Sequence, residues 1–279
     1  MLSQVQLLKK YKIRVRGHLG QHLLMDPNTI RKIVDGLLLE NGEPVFEIGP
    51  GLGAVTTEIL KRGHPVLAVE KDPKFVEILQ NEIGPEFPGK LEVIRQDILE
   101  CDLGQLFADR KFNAQVKVIG NLPYYISTPI LFYLIDRREL FRLAVFMLQK
   151  EVAARMTAKA GEEDYGRLSV SSAIFGETEA LFDVSPKCFL PAPEVTSRVV
   201  RYTFREELRI QQEKFLLELV RIAFSQRRKT LLSLLLKNLK PKRDRTELED
   251  IFQALGFLPT VRGEDLTRDD FIAFTDKLA

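Results

Sequence analysis

Cysteine and histidine are scarce in this chain. Among 279 residues there are two cysteines, Cys101 and Cys188, and three histidines. The two thiols lack metal-ligand spacing, which argues against a zinc site or a disulfide framework and fits a reducing compartment. No metal is expected. Long apolar runs are also missing. Leu231 to Leu236, among the densest, is interrupted by Ser233, and nothing approaches the length of a membrane span. The N-terminus has no apolar signal core, so the chain reads as cytoplasmic. Internal repeats are absent. Acids are absent from residues 1–20, which carry Lys9, Lys10, Lys12, Arg14 and Arg16.

What is present is ordinary globular composition, 45% hydrophobic and 29% charged, enough core for one large domain plus a small one. Lys+Arg 41 against Asp+Glu 39 implies no partner by itself. The distribution is more informative. Residues 221–245 hold Arg221, Arg227, Arg228, Lys229, Lys237, Lys240, Lys242, Arg243 and Arg245 against the single acid Asp244. Each basic cluster taken alone reads as a solvated helix face. Basic clusters in a near-neutral protein are also the footprint of a polyanion binder.

Residues 1–16 read as a mobile basic arm and Gly17 to Leu24 as a glycine-punctuated loop. Asp26-Pro27 then caps and starts a helix. Apolar runs at Pro44–Ile48, Pro65–Val69, Leu91–Ile94, Val116–Ile119 and Leu143–Leu148 read as strands, with helical patterns between most of them. That alternation predicts βαβ units and a mostly parallel sheet covered on both faces. Leu168–Phe175 and Val199–Phe204 read as two further strands. Phe189 to Val195 is too proline-rich for an element. Past Arg205 only helical periodicity remains, over 211–224, 228–239, 246–255 and 268–277. A large domain over 1–205 and a small all-helical one over 206–279 are therefore expected.

Chemistry-bearing residues follow successive strands. The first strand opens into Gly49-Pro50-Gly51-Leu52-Gly53, a turn that lets a cofactor approach backbone N–H groups. Glu47 would repel a pyrophosphate there, but it suits a ligand carrying an ammonium and a sulfonium. This favours S-adenosylmethionine over a dinucleotide. Glu70 ends the second strand, where an acid accepts from both ribose hydroxyls. Asp97, past the third strand, can accept from the adenine amino group. The fourth strand ends in Gly120-Asn121-Leu122-Pro123-Tyr124-Tyr125. An accepting amide beside a stacking ring suits a planar base with an exocyclic amine. Any one of these has a bland reading, as a tight turn or a surface acid; all of them on one sheet edge do not.

Together with Gly20-Gln21-His22-Leu23-Leu24, Phe189-Leu190-Pro191-Ala192-Pro193-Glu194-Val195-Thr196-Ser197 and Phe224-Ser225-Gln226-Arg227-Arg228-Lys229-Thr230-Leu231, these stretches resemble the small-subunit ribosomal RNA adenine dimethyltransferases. The resemblance runs from about residue 17 to the C-terminus. It implies a Rossmann-like class I methyltransferase domain and transfer of two methyl groups to N6 of each of two adjacent adenines near the 3′ end of small-subunit rRNA. It makes His22, Leu24, Gly49, Glu70, Asp97 and Asn121 the cofactor contacts, with Gly51 in the same loop. This chain has His22-Leu23 where the family usually has Asn-Phe. His22 still offers a ring donor or the same backbone groups.

For the chemistry, two acceptors on the amine hydrogens would free the N6 lone pair. The Asn121 side-chain oxygen and a backbone carbonyl in the Leu122-Pro123 turn can supply them. No strong general base is evident, so orientation and electrostatics carry the catalysis. The base must leave its stack. Tyr124 would cover one face and, by the resemblance, Phe189 the other. The expected partner is small-subunit rRNA or the assembling particle, engaged by a monomer, with no membrane. Two alternatives share the fold: a large-subunit rRNA adenine N6-methyltransferase of the antibiotic-resistance type, and a non-catalytic nucleic-acid-binding factor.

Overall fold

The computed structural model describes the whole chain except Met1, Arg14, residues 16–21, 111–114 and 206–209, Gln211 and Ala279. Arg14 and Arg16 of the basic segment, and Gly17 to Gln21 of the expected loop, therefore lie outside the described residues. The chain divides into two compact units, residues 1–153 with 178–206, and residues 154–177 with 207–279.

In chain order the first unit holds α1 (Gln4–Lys10), β1 (Leu23–Leu24), α2 (Pro27–Asp35), β2 (Val45–Ile48), α3 (Ala54–Lys61), β3 (Val66–Glu70) and α4 (Pro73–Ile78). It continues with β4 (Leu91–Arg95), α5 (Leu103–Asp109), β5 (Val116–Asn121), α6 (Ser127–Ile135) and β6 (Phe141–Gln149). From there α7 (Lys150–Thr157) leads to α8 (Arg167–Phe175), then β7 (Gly176–Val184), β8 (Phe189–Leu190) and β9 (Ser197–Phe204).

The main sheet has the order β4-β3-β2-β5-β6-β9-β7. Strands β4, β3, β2, β5 and β6 are parallel, and β9 returns antiparallel to β6. The chain runs outward from β2 to β4 and then comes back to place β5 on the other side of β2. Ligands bind at such a reversal, outside the carboxyl ends of the strands. Strands β2 and β3 are buried at every position, as expected of strands covered by helices on both faces. Val45, Ile59, Val66, Ala68, Ile119, Val145 and Met147 belong to one continuous core. Phe46 packs edge-on against Phe107 of α5, ring centroids 5.2 Å apart. Burying each such side chain stabilises by about 1.5–3 kcal/mol.

Local signals explain the helix starts. Asp26 and Asp72 each accept from a backbone N–H of the helix they cap, with proline in the first turn. Three expectations are corrected. Residues 4–10 form a helix, not a loose arm: Ser3 and Gln6 build a reciprocal cap, and Leu7 is buried against Leu23, Leu52, Phe75 and Ile78. The run 168–175 is helix α8, not a strand. Nearly all of it is buried, so no polar face displays the helical period. Phe189-Leu190, set aside as too proline-rich, forms the short strand β8, which pairs antiparallel with β1.

In the second unit, α9 (Glu213–Ala223), α10 (Leu231–Asn238), α11 (Arg245–Ala254) and α12 (Arg268–Leu278) accompany α8. Phe252 and Phe274 meet edge-on, centroids 4.9 Å apart. Tyr165 is buried and donates to the Leu266 carbonyl at 2.6 Å. Among the described residues no helix is long and apolar enough to cross a membrane.

Candidate active site

A cavity of about 360 Å³ opens where β2, β3, β4 and β5 end. It is lined by Glu47, Gly49, Gly51, Glu70, Asp97 and Asn121, with His22 and Leu24 from the β1 side. Every residue expected to hold a cofactor therefore reaches one space.

The glycine loop leaves room for a ligand at the backbone. Gly49 has φ +66°, and a Cβ built on it would meet nothing within 4 Å. Gly53 is glycine for a different reason: it caps α3 at φ +75°, and a Cβ there would lie 2.2 Å from Ile83 Cδ1. The Gly51 N–H donates to Glu70 Oε2 at 3.0 Å, and the Asp72 N–H donates to Oε1 at 2.9 Å. Burial pushes the Glu70 carboxyl up, and those backbone donors oppose the rise. Glu47 is 2% exposed and takes the Thr56 hydroxyl at 2.6 Å. Burial pushes its carboxyl up to about 7. A buried acid in that state gains from a cationic ligand. Asp97 takes Lys71 Nζ at 2.7 Å, and that bond holds its carboxyl below the usual range.

The acceptor side is built from the end of β5. The Asn121 amide nitrogen donates to the His22 carbonyl at 3.0 Å, which leaves Oδ1 to accept. The Pro123 carbonyl takes the Ile126 N–H at 3.1 Å, which occupies one of its two lone pairs, and Pro123 lines the cavity. The Leu122 side chain is buried. The Tyr124 ring lies over His22 with centroids 5.5 Å apart, and its hydroxyl bonds Ser197 Oγ at 2.7 Å. Phe189 is not brought to the cavity. It is 5% exposed and packs in the main core opposite Leu24. Gln4, whose amide donates to the Leu24 carbonyl at 2.8 Å, and Lys71 also line the cavity with no motif to mark them, and so does Tyr125, 67% exposed, which was given no role. For Tyr125 the available signal was its place beside Tyr124 in the same turn. Among the described residues no group of three or more His, Cys, Asp or Glu side chains is arranged to hold a metal.

A half-open parallel sheet, a glycine turn after its first strand, an acid ending the next and an Asn-Leu-Pro-Tyr turn at the switch point define a Rossmann-like class I methyltransferase. The chain belongs to the ribosomal RNA adenine dimethylase family, whose sequence profile matches residues 12–255. It is 40% identical over 265 residues to ribosomal RNA small subunit methyltransferase A of Halothermothrix orenii, covering 94% of this chain and 87% of that one. The protein of the same name from a Geobacillus strain is 37% identical over 277 residues, covering 98% and 94%. Among solved structures, a dimethyladenosine transferase from Plasmodium falciparum superposes with TM-score 0.77 at 27% identity, covering 91% of this chain and 96% of that one. The 23S rRNA methyltransferase ErmE shares the fold, with TM-score 0.68 at 24% identity over 92% and 99% of the two chains.

Proposed function

We propose that this enzyme transfers two methyl groups to N6 of each of two adjacent adenines near the 3′ end of small-subunit rRNA, during assembly of that subunit in the cytoplasm. The observation that carries this reading is Asn121 at the end of β5, its Oδ1 left to accept, with the Leu122-Pro123 turn next to it, beside a cavity whose open glycine turn and buried Glu47 suit S-adenosylmethionine.

When bound, S-adenosylmethionine supplies an electrophilic methyl group on a sulfonium. Glu70 would hold the ribose, Asp97 the adenine, and Glu47 the cationic end. Gly49, Gly51, Leu24 and Asn121, with the backbone of His22, would complete the contacts. The N6 lone pair of the target adenine is delocalised into its ring. Asn121 Oδ1 and a backbone carbonyl of the Leu122-Pro123 turn each accept one amine hydrogen, which pulls the nitrogen toward a tetrahedral shape and frees that pair. Tyr124 stacks on the flipped base, worth about 1–3 kcal/mol. The transfer itself needs no strong general base, because the proton leaves after the new carbon–nitrogen bond has formed. After the first transfer one N–H is gone, so the product must rotate or be released before the second. Arg227, Arg228 and Lys229 are exposed on the second unit and would contact phosphates, which position the RNA without reading its sequence.

The test is label transfer from S-adenosylmethionine to undermethylated small subunits, with large-subunit RNA as the parallel substrate. Dimethyladenine in the small-subunit RNA alone is the expected result. Label in the large-subunit RNA, or in neither, overturns the assignment.

A further inference from the structure

His22 stands where the family usually has asparagine, and its side chain does more than line the cavity. Its carbonyl takes the Asn121 amide at 3.0 Å and so sets which end of that amide remains free. Its ring lies over Tyr124, 5.5 Å between centroids and 26° between planes. Its Nδ1 is 2.8 Å from the Pro191 carbonyl. A carbonyl only accepts, so Nδ1 carries the proton in this bond. The backbone explains the meeting. Leu23 pairs with Leu190, and the Met25 N–H donates to the Cys188 carbonyl at 2.8 Å. The β1–β8 ladder therefore delivers residue 22 opposite Pro191.

We infer that the His22 side chain is a positioning residue for the target adenine, tying the Tyr124 ring to the Pro191 loop, and is not a ligand of the methyl donor. This rests on the function proposed above and adds what that reading leaves open, the part played by a ring in place of an amide. The substitution has a geometric rationale. An asparagine at position 22 carries its amide nitrogen at the place of histidine Nδ1, so both residues can donate to the Pro191 carbonyl. Histidine adds a planar surface behind Tyr124.

Three variants test this: His22→Ala, His22→Leu and His22→Asn. Leucine keeps packing against Tyr124 but has no donor, so it tests the same bond should the alanine protein fail to fold. Two quantities are read for each: the dissociation constant of S-adenosylhomocysteine by calorimetry, and single-turnover methyl transfer to undermethylated small subunits. Losing one neutral hydrogen bond that orders the site corresponds to about 5- to 10-fold in rate. Alanine and leucine are expected to slow transfer by that factor with the dissociation constant within about 3-fold of wild type, and asparagine to recover most of the loss. A dissociation constant that weakens in step with the rate, wild-type transfer by the leucine protein, or an asparagine protein as slow as alanine overturns the inference. If the wild-type protein itself fails to label small subunits, the proposed function has failed, and the binding arm still reports whether the ring touches the donor.

Discussion

Replacing Glu47 with glutamine puts a buried charge and its pH dependence to a quantitative test. The side chain is 2% exposed and takes one hydrogen bond, from Thr56. Burial pushes the carboxyl from its ordinary 4.5 up to about 7; the Thr56 bond opposes the rise and the Glu70 carboxylate adds to it. The unfolded chain gives up this proton near 4.5, whereas the folded protein keeps it until about 7. The fold therefore prefers the protonated acid. That contribution is complete below pH 4.5 and is lost as pH rises through 7. At about 1.4 kcal/mol per pH unit, the window corresponds to about 3 kcal/mol. Glutamine keeps an oxygen for Thr56 and has no charge to bury. At pH 8 the variant should melt higher, by about 2–4 °C for each kcal/mol, and at pH 4.5 the two proteins should melt together. Calorimetric melting from pH 4.5 to 8 reads this directly. A difference that does not grow with pH, or a glutamine protein that melts lower at pH 8, refutes the reasoning. Ligand binding supplies an independent check. A cation beside Glu47 favours the carboxylate, so binding S-adenosylmethionine at pH 7 should release about half a proton from the wild type and none from the variant. Titration in buffers of unlike ionisation enthalpy counts that proton.

Asn121→Ala should nearly abolish methyl transfer, a loss far larger than any weakening of donor binding, and Tyr124→Ala should slow it about 10-fold or more with donor binding retained; single-turnover rates beside a binding titration separate the effects. At the other end of the sheet, Lys117 is fully buried, and its Nζ lies 2.6 Å from the Leu38 carbonyl and 2.7 Å from Glu43 Oε2. Glu43→Ala strands that ammonium and should cost about 3 kcal/mol in a denaturant melt, whereas Lys117→Met removes the charge and should cost less; equal losses would count against the pairing. RNA affinity should fall steeply as salt rises, with a shallower slope when Arg228 and Lys229 are both replaced by alanine, and a flat profile in filter binding would remove the second unit from RNA contact.

Much of this was legible in the sequence, and the reason is locality. Strand β2 runs straight into Gly49-Pro50-Gly51, and Glu70, Asp97 and Asn121 each close or follow a strand, so spacing alone puts them on one edge. The helix starts at Asp26 and Asp72 are encoded within a few residues. What stayed hidden depends on distant partners. Phe189 packs as a core residue because β8 finds β1, a two-residue ladder too short to leave a pattern. The bonds from His22 to Asn121 and Pro191 join segments that only the folded sheet brings together. Leu168 to Phe175 misled for the opposite reason: burial on nearly every side erased the alternation between apolar and polar faces on which a helix is recognised.

The docking of α1 changes how a shortened protein would behave. Leu7 covers Leu23, Leu52, Phe75 and Ile78, and Lys10 and Tyr11 both fasten to Glu82 Oε1 at 2.6 Å. Removing the residues before Lys12, as their basic composition invites when an RNA-binding arm is suspected, would strip the lid from a contiguous apolar patch beside the cavity. Such a patch is adhesive. The shortened enzyme would self-associate, and a loss of RNA binding measured on it would report clumping instead of missing positive charge.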